Sequence, residues 1–121
     1  MRKLVTAALI LAAAWQGMPS AHAEPALIER GRVLAEGYCS RCHAVGVIGQ
    51  SPHRIVIPFR QLSERFPVDM LLDTLRTGTI GGHDEMPMFE LGTSDARALI
   101  AYIDSFAPAD QRYLSLPAAK P

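Results

Sequence analysis

The sequence predicts a single all-α domain, and three features carry that reading. Apolar residues recur at helical spacing in several segments, helix start and stop signals flank them, and no run alternates with the period of a strand. A chain of 121 residues has room for one domain.

The first segment stands outside that domain. Arg2 and Lys3 precede an apolar run of 12 residues from Leu4 to Trp15, and Ala21-His22-Ala23 then puts small residues at the two positions a signal peptidase reads. Residues 1–23 are therefore expected to be a signal peptide. The run is shorter than the roughly 20 residues of a membrane-spanning helix, so the expected mature chain is periplasmic, soluble, starts near Glu24 and has no stable membrane insertion. It retains ten basic and twelve acidic side chains, a net charge of −2. No basic stripe or aromatic-interleaved patch points to nucleic acid.

Between Pro25 and Tyr38, the residues Leu27, Gly31, Leu34, Ala35 and Tyr38 line one helix face, with Pro25 suited to the first turn. Phe59, Leu62 and Phe66 predict a short helical piece after Pro58. From Pro67 a stripe of Val68, Leu71, Leu72 and Leu75 predicts a middle helix, with Asp69 early, Arg76 late and Gly78 as its stop. Thr93 is the expected N-cap of a last helix, with Asp95 in its first turn and Ala96, Leu99, Ile100 and Ile103 on its buried face, and Pro108 is expected to end it. The domain is thus expected over residues 24–106. Residues 107–121 form a Pro/Ala-rich tail, and the loops at 44–58 and 78–92 are long enough to have a function.

So small an exported domain needs a staple. Its two cysteines, Cys39 and Cys42, are too close together for a disulfide between them to constrain much chain. Cys39-Ser40-Arg41-Cys42-His43 is instead the C-x-x-C-H pattern of haem attachment. Two thiols three positions apart lie on one side of a helical turn, where each can add to one vinyl group, and His43 can then turn its imidazole onto the iron. Such a group, flat and largely apolar, supplies the missing core. A zinc site would need His53 or His83 to complete a tetrahedral set. A redox-active dithiol would need a strand-to-helix junction, and the chain offers no strand.

With its N-terminal helix running into C-x-x-C-H, its looped middle, Met86-Pro87 and a last helix bearing Tyr102, the chain resembles the class I c-type cytochromes over nearly all of its mature length. The resemblance implies a cytochrome c fold, three to five helices wrapped around one covalent haem c, and a crossing of the terminal helices at a small residue, here Gly31 or Ala35. It implies Cys39 and Cys42 as thioether anchors, His43 as proximal iron ligand and Met86 as distal ligand, ahead of Met88 and His83. A neutral thioether favours the ferrous state. Met88 and Phe89 are read as haem-pocket packing, and His83 otherwise as a polar loop residue. His43 is expected to donate its second ring nitrogen to a backbone carbonyl. Many relatives supply that carbonyl from a Gly-Pro, whereas this chain offers Gly49-Gln50-Ser51-Pro52. Arg54, Arg60, Arg65, His53 and Tyr102 are candidates for the propionates, with Tyr102 better suited to helix packing.

With both axial positions filled, the expected function is that of a non-catalytic, monomeric one-electron carrier. Its expected partners are a dehydrogenase, a cytochrome complex or a terminal oxidase or reductase, with Arg41 helping to steer an acidic one. Two rivals are a dedicated cytochrome subunit of an oxidoreductase complex, with the tail as docking strap, and a haem-based ligand sensor or peroxidase.

In the family that the chain resembles, high pH exchanges the methionine for a nearby lysine. The only lysine after residue 23 is Lys120 in the tail. Absorption spectra taken up an alkaline titration are therefore expected to show no lysine-ligated form.

Overall fold

The computed structural model describes residues 23–66, 68–78 and 85–112. Helix α1 spans Ala23–Tyr38, a 3-10 turn at Phe59–Gln61 leads into α2 (Leu62–Arg65), α3 spans Val68–Thr77 and α4 spans Thr93–Asp104, followed by a 3-10 turn at Ala109–Gln111. The described residues contain no strand, and no helix among them is long and apolar enough to cross a membrane. The fold is all-α, as expected.

The terminal helices α1 and α4 form the principal helix pair. The predicted stripe on α4 is its buried face: Ala96, Leu99, Ile100 and Ile103 are all at most 3 % exposed, and Ala98 and Ala101 extend it toward α1. On α1 the matching residues are Gly31 and Ala35. Of these two, Gly31 marks the crossing. A Cβ built there would lie 1.9 Å from the Ala98 carbonyl oxygen and 2.7 Å from the Tyr102 Cβ, so only a residue without a side chain lets the backbones approach. Arg30 Nε donates to Asp95 Oδ1 at 2.7 Å beside this contact. That pair is solvent-exposed and adds little stability.

Helix α3 and the α2 turn close the other side of the core. Leu75 is buried, and Leu62, Leu71 and Leu72 pack against the cluster of Phe59, Leu99, Ile100 and Ile103. Gly78 ends α3 at φ +71°, with its N–H bonded to the Thr74 carbonyl at 3.0 Å, the left-handed stop that the sequence signals. The Leu91 N–H then bonds to the Leu75 carbonyl at 2.9 Å and returns the chain to α3. Pro67 and the side chains of Val68 and Asp69 lie outside the described residues.

Three local expectations are corrected. Gly92, not Thr93, caps α4: its carbonyl accepts from the N–H groups of Asp95 and Ala96, and Thr93 is already helical. The Asp95 carboxylate is bound to Arg30. Helix α4 also ends at Asp104, short of Pro108, because the chain turns at Ser105, whose hydroxyl donates to the Tyr102 carbonyl at 2.6 Å. Tyr38 is 58 % exposed, since it lies beyond the α1–α4 contact and its ring meets Phe89 edge-on at 6.2 Å instead.

After α4, Arg112 reaches back with Nε to the Ala107 carbonyl and Nη2 to that of Ser105, both at 3.2 Å. Residues 113–121 of the tail lie outside the described part.

Gly31→Ala is expected to cost about 2–4 kcal/mol in denaturant unfolding, because its methyl group meets backbone that cannot step aside. Gly37→Ala, on the same helix and with nothing within 4 Å of the added carbon, is expected to be neutral or to gain up to about 1 kcal/mol.

Candidate functional site

The C-terminal end of α1 delivers the cysteine turn. Cys39 N–H and Ser40 N–H both bond to the Ala35 carbonyl, at 2.9 and 3.1 Å, and Cys42 N–H and His43 N–H bond to that of Cys39, at 3.1 and 2.9 Å. The helix thus tightens into a compact turn that brings Cys39, Cys42 and His43 to one side. Ala35, buried completely beneath α4, couples the turn to the helix crossing. The two cysteines form no disulfide. Burial, with the neighbouring Cys42 as a smaller cause, pushes the Cys39 thiol up to about 11. No three His, Cys, Asp or Glu side chains gather around a common point among the described residues.

The 44–58 loop is knitted back onto this turn. Ser51 Oγ accepts from the Ala44 N–H at 3.1 Å, the Ala44 carbonyl accepts from the Phe59 N–H at 3.0 Å, and the Cys42 carbonyl accepts from the His53 N–H at 3.3 Å. The partner of His43 emerges from this loop: its Nδ1 lies 2.8 Å from the carbonyl oxygen of Ile57. A carbonyl only accepts, so Nδ1 is the donor in this contact. Phe59 packs beside the imidazole, with ring centroids 5.2 Å apart. The carbonyl comes from Ile57-Pro58 and not from the 49–52 segment. A backbone acceptor has no side-chain signature, and Pro58 downstream was its only trace in the sequence.

Two adjoining clefts meet at the turn. The larger, about 600 Å³, is lined by Cys39, Cys42 and His43 together with Met86, Pro87 and Phe89. The smaller, about 180 Å³, shares Cys39, His43 and Met86 and is walled by apolar side chains that include Ile57, Phe59, Leu75, Leu99 and Ile103. Arg41, His53 and Glu85 give the larger cleft a polar part. An apolar interior joined to a polar region, with two thiols and an imidazole along one wall, suits a haem.

Met86 is half-buried, packs on the core and borders both clefts. Met88 is 66 % exposed, lies near Gly78 and lines neither cleft, contrary to its reading as pocket packing, while Phe89 borders the larger one. His83 lies outside the described residues. Among the propionate candidates only His53 borders the larger cleft, and its Nε2 is 2.9 Å from Glu85 Oε2, a contact the sequence did not suggest. Arg60 donates to the Gly49 carbonyl at 2.8 Å, while Arg54 and Arg65 are exposed. The Tyr102 hydroxyl donates to the Val45 carbonyl at 2.7 Å, which ties α4 to the residues just after the cysteine turn and satisfies its helix-packing role.

Comparison with known protein families matches residues 26–103 to the family described as cytochrome C oxidase, cbb3-type, subunit III. The span runs from the first turn of α1 to the last turn of α4 and includes the cysteine turn and Met86. Curated proteins and solved structures gave no match.

Burial, with the nearby Glu36 carboxylate as a lesser cause, holds the Tyr102 phenol above its ordinary value. Because the folded state favours the protonated phenol, this contribution is complete below about pH 10, the unfolded value, and is lost as pH rises through the higher folded value. Tyr102→Phe is expected to lower stability by about 1 kcal/mol at neutral pH through the lost hydrogen bond. The variant should also flatten the alkaline fall in stability, as read from urea midpoints between pH 8 and 11.

Proposed function

Because the chain belongs to the cytochrome c oxidase cbb3-type subunit III family, and is therefore a monohaem c-type cytochrome domain with covalently bound haem c, we propose that this electron-transfer protein works in the periplasm as a carrier to a terminal oxidase or a comparable redox complex. The observation that carries the reading is a pair of adjoining clefts that share Cys39, His43 and Met86, the larger also bordered by Cys42 and the smaller walled by apolar side chains.

Haem held in this cleft supplies a centre that takes up and releases one electron at a time. In this reading Cys39 and Cys42 anchor it through thioether bonds, His43 ligates through Nε2 and Met86 through its sulfur. The Ile57 carbonyl holds the His43 proton on Nδ1 and fixes the ring, which strengthens the imidazole as a ligand. Met86 precedes Pro87, which restricts its backbone to extended conformations and limits how far its side chain can swing. With both ligands held by short, bonded segments, little has to move when the charge changes. Export by the residue 1–23 leader accounts for the periplasmic setting. The arginine in the cysteine turn, Arg41, borders the larger cleft and offers positive charge to an acidic partner.

A second reading is favoured by the family description, which is that of an oxidase subunit. In it the domain is held permanently by a larger oxidoreductase. Size-exclusion of native extract separates the two: a carrier elutes as a small monomer, a subunit with its complex.

Purified holoprotein is expected to show covalent haem that survives denaturant and, when oxidised, the weak long-wavelength band of sulfur ligation. Met86→Ala should abolish that band, lower the potential and open the reduced protein to carbon monoxide. An unchanged band in Met86→Ala would overturn the assignment of the distal ligand.

A further inference from the structure

Met86 lies in a segment whose far end is well anchored. The Leu91 N–H bonds to the Leu75 carbonyl at 2.9 Å, and Phe89 meets the ring of Tyr38 at 6.2 Å. The near end is held differently. Glu85, the residue directly before Met86, places Oε2 2.9 Å from His53 Nε2, and both side chains border the larger cleft. The backbone of His53 is in turn bonded to the cysteine turn, its N–H to the Cys42 carbonyl at 3.3 Å, and its own carbonyl accepts from the Val56 N–H at 3.0 Å. A continuous path of bonds therefore runs from the covalent anchor, through His53, to the residue beside Met86.

We propose that His53 and Glu85 form a latch that positions Met86, making both of them positioning residues for the distal ligand. The proposal rests on the reading of Met86 as that ligand. Nε2–H of His53 donates to the Glu85 carboxylate, and the contact restrains the entry of the 85–91 segment while Leu91 and Phe89 restrain its exit. The methionine is then held from both ends, and the latch reduces the fraction of time in which its sulfur is away from the iron. The two side chains are 41 % and 65 % exposed, so the effect is modest: such pairs alter an equilibrium by a factor of about two to five.

The test is the rate at which carbon monoxide combines with the reduced holoprotein, which requires the distal methionine to leave. His53→Ala and Glu85→Ala are each expected to raise that rate about two- to fivefold. Glu85→Gln, whose amide oxygen still accepts from His53, should stay close to wild type. In a Met86→Ala background, His53→Ala should have no further effect, because the latch acts only through Met86. A general loosening of the pocket would instead persist in that background.

Equal rates for His53→Ala, Glu85→Ala and wild type would overturn the latch while leaving Met86 as ligand. So would an effect of His53→Ala that survives removal of Met86. Should Met86→Ala itself combine with carbon monoxide no faster than wild type, the reading of Met86 fails and the latch fails with it. Should His53→Ala not assemble with haem, the comparison of Glu85→Ala with Glu85→Gln decides: a raised rate restored by glutamine supports the latch, and equal rates overturn it.

Discussion

The approach of α1 to α4 at Gly31 is the contact on which the rest depends. It places the end of α1, and with it the cysteine turn, against the last helix, with Gly31 set directly on the Ala98 backbone and the Tyr102 Cβ. Ala35 lies one turn further along α1, fully buried, and its carbonyl accepts from both Cys39 and Ser40. A shift of the helix pair would therefore carry directly into the positions of both thiols. The helix crossing and the placing of the two thiols share one piece of geometry.

Around that fixed turn the 44–58 loop is organised almost wholly by main-chain groups. Ala44 is bonded through both its N–H and its carbonyl, Cys42 and Val45 through their carbonyls, and Ile57 through the carbonyl that meets His43. Loops are usually the variable and mobile part of a domain. Here each bond returns the chain to a point within a few residues of the cysteines, so the loop is a brace for the cysteine turn and His43. The segment that carries Met86 is built differently: it is stiffened by Pro87, held by its neighbours and returned to α3 by one backbone bond at Leu91.

Much of this was legible in the residues, for reasons that differ from place to place. The α4 stripe of Ala96, Leu99, Ile100 and Ile103 shows because burial on one helix face imposes a period. The stop at Gly78 shows because a left-handed residue selects glycine. The cysteine motif shows because its chemistry demands two thiols and an imidazole at one spacing. What stayed hidden depends on backbone or on tertiary neighbours. Gly92 caps α4 where the side chain of Thr93 was expected to, since a carbonyl can do the work of a hydroxyl. Tyr38 continues the α1 period but outruns the helix it would pack against. The meeting of His53 with Glu85 joins residues 32 positions apart on two loops, where no periodicity operates.

The Ile57 carbonyl has one more consequence, for how this domain tolerates genetic change. Its bond to His43 is made by an atom that every amino acid carries, so drift at codon 57 alters the wall of the smaller cleft but leaves the acceptor itself in place. Alanine scanning would score this position for lost apolar contact and pass over the tether altogether. The hold on the His43 ring is therefore independent of which side chain stands at position 57.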